Sequence, residues 1–101
     1  MTTQTKFFSM LGLAMRAGKM IIGEELVLKV IRSKQAKLVI LANDASANTT
    51  KKIMDKCHFY QITVIRPADR YVLGASIGKE ARVTLAIVDE GFAKKMMELV
   101  T

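Results

Sequence analysis

The chain has 101 residues, half of them apolar, and sixteen Lys or Arg against nine Asp or Glu give a formal net charge of +7. That length supports one domain, 1–101, with a single core and no need of disulfide or metal staples. No apolar run approaches the roughly 18–20 residues of a spanning helix, and MTTQTKFF lacks the apolar stretch and cleavage site of a secretory signal, so a cytoplasmic location without a membrane partner is expected.

In chain order, Phe7, Leu11 and Met15 recur at i, i+4 and i+8 within residues 5–17, a helical stripe closed by Gly18. Residues 20–22 form a short strand candidate. Gly23 then opens a second helix whose inner face is Val27, Val30 and Ile31. Residues 37–42, KLVILA, are different: Leu38, Val39, Ile40 and Leu41 run without alternation, the pattern of a strand covered on both faces. Asn43 and Asp44 end it, and Asp44 or Ser46 can cap the helix that follows. There Thr50, Ile53, Met54 and Cys57 fall at i, i+3, i+4 and i+7, while Lys51, Lys52 and Lys56 face water.

Residues 62–65 make a third strand, stopped by Pro67. Asp69 can cap a short helix over 71–77 that ends at Gly78. Residues 83–88, VTLAIV, are apolar enough for a central strand, and 91–100 close the chain as a helix with Phe92, Met96 and Leu99 inward. The order α-β-α-β-α-β-α-β-α specifies an α/β fold, a three-layer α/β/α sandwich around a mixed sheet of about four strands. The seven methionines are expected mostly at core-facing helical positions.

Charge is unevenly spread. Residues 1–58 carry ten basic and four acidic groups, a balance of +6, and residues 59–101 carry six and five, a balance of +1. A basic half on a small domain points to a polyanion, most simply nucleic acid, against the plainer reading of a solvated surface. The few aromatics argue against a platform that stacks single-stranded bases. Cys57 is the sole cysteine and sits beside His58, the sole histidine. Adjacent side chains on a helix diverge, so Cys57 is read as a packing residue and neither a metal site nor another cofactor is implied.

Gly74-Ala75-Ser76-Ile77-Gly78-Lys79 invites comparison with a phosphate-binding loop. That motif needs four residues between the glycine and the Gly-Lys pair, then Ser or Thr, and runs from strand to helix. Here three residues intervene, Glu80 replaces the hydroxyl, and the stretch leads from a helix into a strand, so no nucleotide partner is expected. What remains is a glycine turn and a charged loop before a buried strand, a place where binding residues gather.

Three stretches taken together, GEELVLKVIRSKQAKLVILAND (23–44), the helix beginning near Asn48, and LGASIGKEARVTLAIVDEG (73–91), resemble the L-seven-Ae / L-thirty-e family of ribosomal proteins, most nearly its small bacterial YlxQ-like members. The resemblance implies the sandwich read above and binding of kink-turn RNA, a sharply bent helix with tandem sheared G·A pairs. The family's RNA-binding helix start runs Gly, any residue, Asn, Glu, two of any kind, Lys. Gly23 and Lys29 match it, whereas Glu25 stands at the Asn position and Leu26 at the Glu position. The family's second contact maps onto the loop 78–83.

Elementary chemistry fits this arrangement. A helix N-terminus opened by glycine suits a phosphate, and Lys29 lies about 9 Å further along the axis. Glu24 or Glu25 can accept from base amino groups, with Glu25 expected to do so, or both can simply complement the helix dipole. The candidate RNA-binding set is Lys19, Gly23, Glu24, Glu25, Lys29 and Asp44 with the loop residues Gly78, Lys79, Glu80, Ala81 and Arg82. The leading expectation is a non-catalytic, monomeric protein for structured RNA, such as ribosomal RNA. Two others stay open: an interaction module for an acidic protein partner, and a small α/β enzyme using Asp44 at the carboxyl end of a buried strand.

Overall fold

The computed structural model describes residues 2–100. Its elements are α1 (Thr3–Arg16), β1 (Met20–Ile22), α2 (Glu24–Arg32), β2 (Leu38–Leu41), α3 (Ala47–Tyr60), β3 (Val64–Ile65), α4 (Arg70–Ser76), β4 (Thr84–Ile87) and α5 (Glu90–Val100), the expected alternation. The sheet order is β1-β4-β2-β3. β4 runs antiparallel to both neighbours, and β2 pairs with β3 in parallel.

β2 explains the layering. All four of its residues are buried, and alternate side chains serve opposite cores because strand side chains alternate in direction. Leu38 and Ile40 join Phe7, Leu11 and Ala14 of α1, Leu73 of α4, and Ala93 and Met96 of α5. Val39 and Leu41 join Val27, Val30 and Ile31 of α2 with Ile53 and Cys57 of α3. The sheet is therefore sandwiched between α1, α4 and α5 on one face and α2 and α3 on the other, as the unbroken apolar run requires.

One packing expectation is corrected. Met54 is 41% exposed, because α3 leans chiefly on α2 and covers only the narrow stripe through Ile53 and Cys57. The other methionines face the core as expected, with Met1 outside the described residues. Met20 and Met96 are buried, while Met10, Met15 and Met97 sit partly buried at the rim of the larger core. Cys57 is a packing residue as expected, and desolvation pushes its thiol up to about 11.

Candidate nucleic-acid interface

One end of the sheet is drawn together by backbone hydrogen bonds that continue past the strands. Gly23 N–H donates to the Thr84 carbonyl (3.0 Å), Ala42 N–H to Val83 (2.8 Å), Asn43 N–H to Ala68 (2.9 Å) and Arg82 N–H to Arg70 (3.0 Å). The exits of β1, β2 and β3 and the entry of β4 thus converge. A cleft opens there, lined by Gly23, Glu24, Ser46, Thr49, Arg70, Arg82, Val83 and Thr84.

The start of α2 faces this cleft without a side-chain cap. The other four helices have one: Thr2 accepts from Thr5 N–H, Ser46 from Thr49 N–H, Asp69 from Tyr71 and Val72 N–H, and Asp89 from Phe92 N–H. Gly23 holds φ at +102°, a conformation that side-chain-bearing residues rarely adopt, and a Cβ there would meet open space. Glycine in place of a capping side chain costs helix stability only a few tenths of a kcal/mol. What it gains is access, since the first-turn N–H groups and the positive end of the helix dipole are left to an incoming anion.

Around that opening the charged groups are held in place. The Glu24 carboxylate accepts from the Thr49 hydroxyl at 2.6 Å and from Lys52 Nζ at 3.5 Å. The Thr49 bond, with a contribution from Lys52, holds the Glu24 carboxyl below its ordinary value despite some desolvation. Arg70 grips Asp44 three times, through its backbone N–H and Nε to the carboxylate (both 3.0 Å) and Nη2 to the carbonyl (2.7 Å). Desolvation raises the Asp44 carboxyl, but these bonds outweigh it and the net shift is downward. Arg66 Nη2 donates to the Ala42 carbonyl at 3.1 Å.

The glycines of the 73–79 stretch have structural explanations. A Cβ on Gly74 would lie 1.7 Å from the Glu80 carbonyl oxygen, so only glycine lets the loop lie back across α4. Gly78 turns the chain at φ +73°. The N–H groups of Ile77, Gly78 and Lys79 donate to the carbonyls of Gly74, Ala75 and Gly74. They close a helix and are not gathered around a phosphate.

The structure thus brings Gly23, Glu24 and Arg82 to one cleft, and the bond to Arg70 places Asp44 at its edge. Gly78, Lys79 and Glu80 are exposed on the adjoining loop, and Ala81 is half-buried. Glu25 and Lys29 lie elsewhere, in a shallow depression with Leu26, Leu28 and Arg32. Lys19 stands at the far end of β1, where its carbonyl accepts from Val88 N–H. Asp44 does not cap α3; Ser46 does. Arg70, Arg66, Thr49 and Lys52 were not singled out by sequence, because their partners are 16 to 28 residues away. Arg66, Arg70 and Arg82 also come from the half of the chain with the weaker charge balance.

The chain has relatives among known proteins. Residues 5–97 match the model of the ribosomal protein L7Ae/L30e/S12e/Gadd45 family. The chain is 53% identical over 94 residues to the RNA-binding protein YlxQ of Bacillus subtilis (strain 168), covering 93% of this chain and 94% of that one. It is 36% identical to the large ribosomal subunit protein eL30 of Branchiostoma belcheri, covering 88% of this chain and 80% of that one. Among solved structures, a protein of unknown function from Bacillus halodurans C superposes with a TM-score of 0.91 at 45% identity, covering 94% and 96% of the two chains.

Proposed function

The chain belongs to the ribosomal protein L7Ae/L30e/S12e/Gadd45 family, and on that premise we propose that it is a non-catalytic protein that binds structured, kink-turn-like RNA at the cleft end of its sheet. The observation that carries this reading is the uncapped start of α2 opening between Arg70 and Arg82. A bent RNA backbone brings phosphates close together, and free helix N–H groups flanked by fixed positive charge suit such a target. The names of the bacterial and ribosomal relatives support RNA as the partner. We extend the reading to a ribosome-associated monomer in the cytoplasm; among the described residues, no helix is long and apolar enough to cross a membrane.

Within this site the base-edge acceptor is Glu24 rather than Glu25. Glu24 lines the cleft and is aimed by Thr49 and Lys52, whereas Glu25, about 100° further around α2, lies outside it. Lys29 then serves as a flanking phosphate contact.

The test is a binding panel of kink-turn, plain duplex and single-stranded RNA across a range of salt. Glu24→Gln is expected to cost about 1–3 kcal/mol on the kink-turn and little on duplex, with Glu25→Gln nearly neutral on both. Log affinity should fall with log salt by about 0.7–0.9 for each phosphate neutralised. A flat salt response would sink the reading. Tighter binding to every RNA in Glu24→Gln would reduce that glutamate to a repulsive charge.

A further inference from the structure

A second feature lies on the outer face of α2 and α3, beyond the cleft. Leu28, Lys52, Asp55, Lys56 and Phe59 line an open groove there. Phe59 is 76% exposed, the most exposed of the large apolar side chains in the described residues. Its ring also meets that of half-buried Tyr60 in a T-shaped contact with centroids 4.9 Å apart. An aromatic ring in the open offers a large flat contact area to a planar ligand.

Its placement is directional. Lys52, Lys56 and Phe59 fall at i, i+4 and i+7 on α3, a row about 10 Å long on one face of the helix. The row begins at the cleft, because Lys52 also bonds Glu24. Asp55, the one acidic side chain in the groove, is already occupied by Lys51 at 3.0 Å. A chain leaving the cleft along α3 would therefore meet the Lys52 ammonium, held at its edge by a long 3.5 Å contact to Glu24, then the Lys56 ammonium, and then an aromatic face.

We propose that this groove binds a single-stranded RNA segment continuous with the RNA held in the cleft, with Lys52 and Lys56 contacting phosphates and Phe59 stacking on an unpaired base. The proposal rests on the RNA reading of the cleft and adds a second contact to it. Charge complementarity and continuity with the cleft favour a nucleic acid strand. An amphipathic helix would need several apolar anchors at helical spacing, and the groove offers only Leu28 and Phe59. Stacking on an aromatic is tolerant of sequence because every base has a π-face, so the groove selects for an unpaired tail and not for a particular base.

The experiment uses the full chain and one kink-turn RNA in three forms: blunt, with a 5′ tail, and with a 3′ tail of about four to six nucleotides. One tail is expected to tighten wild-type binding about tenfold. Phe59→Ala should abolish that gain while leaving the blunt RNA bound as before, and Phe59→Tyr should retain it. Phe59 is so exposed that truncation should leave the fold intact, which a thermal melt checks. Binding of blunt RNA with no gain from either tail, or a gain that survives Phe59→Ala, overturns the proposal and leaves the cleft reading standing. Phe59-dependent binding of tailed RNA without binding of the blunt form removes the cleft reading and, with it, the continuous path from cleft to groove, and so overturns the proposal. Binding of neither overturns both. An acidic amphipathic peptide that binds wild type but not Phe59→Ala, with no gain from either RNA tail, assigns the groove to a protein and overturns the proposal.

Discussion

At the end of the sheet where β4 begins, Arg66, Arg70 and Arg82 each donate to an identified carbonyl or carboxylate. At the opposite end, Lys19, Lys34 and Lys37 are exposed and make no side-chain hydrogen bonds among the described residues. Both ends are basic, yet only the first has its charges oriented and an uncapped helix between them. A loose lysine attracts any polyanion weakly and must lose side-chain freedom to bind. A fixed guanidinium has already lost it, so the arginine end is suited to specificity and the lysine end to solubility.

The largest expected effect that tests this contrast is at a glycine. Gly74→Ala would drive its Cβ into the Glu80 backbone, displacing the loop that carries Arg82. We expect a loss of about 3 kcal/mol, a fall in melting temperature of roughly 10–20 °C, and impaired RNA binding at permissive temperature. The control at the other end is Gly18→Ala, which has open space around the new Cβ and only the strain of φ +71°. It should cost about 1–2 kcal/mol and leave RNA affinity unchanged. Equal effects of the two on binding would erase the distinction between the ends.

Next in size is the removal of charge. Arg82→Ala is expected to cost about 1.5–3 kcal/mol of RNA affinity, the range of a charge-assisted hydrogen bond, and to lower the salt slope by about one contact. The Lys34→Ala, Lys37→Ala double variant removes more charge and should weaken binding about twofold or less. Anisotropy titrations at several salt concentrations separate the two, and a larger loss from the lysine pair would move the site to the other end of the sheet.

These outcomes depend on residues that differ in how well sequence revealed them. The layers were readable because their signals are local: an unbroken run in Leu38–Leu41 calls for cover on both faces, and Asp69 announces the helix it caps. The position of Gly23 at the start of α2 and of the 78–83 loop before β4 was readable for the same reason. The grip of Arg70 on Asp44 spans 26 residues and leaves no local trace. The choice between Glu24 and Glu25 turns on about 100° of helix rotation, which the path of β1 into α2 decides. Counting charge by chain half pointed to residues 1–58, whereas the three arginines of the cleft end fold in from 59–101. The scarcity of aromatics suggested no stacking surface, yet Phe59 and Tyr71 are 76% and 69% exposed.

The smallest expected effect is in acid. Glu24 and Asp44 both have native carboxyl values lowered from ordinary ones of 4.5 and 3.8. Their contribution to stability is therefore complete above about pH 5 and is lost as pH falls through the lowered native values. Denaturation midpoints should hold steady from neutral to pH 5 and decline below 4. Glu24→Gln, Asp44→Asn should start lower at neutral pH and decline less. An identical acid decline in the double variant would show that the ordered end takes no stability from these carboxylates.

Cys57 gives the α2/α3 layer a built-in clock. Thiol reagents attack the thiolate, and a buried group with a pKa near 11 presents almost none to solvent at neutral pH. Labelling must then wait for α3 to lift from its neighbour, so the rate counts those excursions directly, as hydrogen exchange does for amides. The protein's sole sulfhydryl thereby turns the breathing of one layer into a chemical signal that needs no engineered probe.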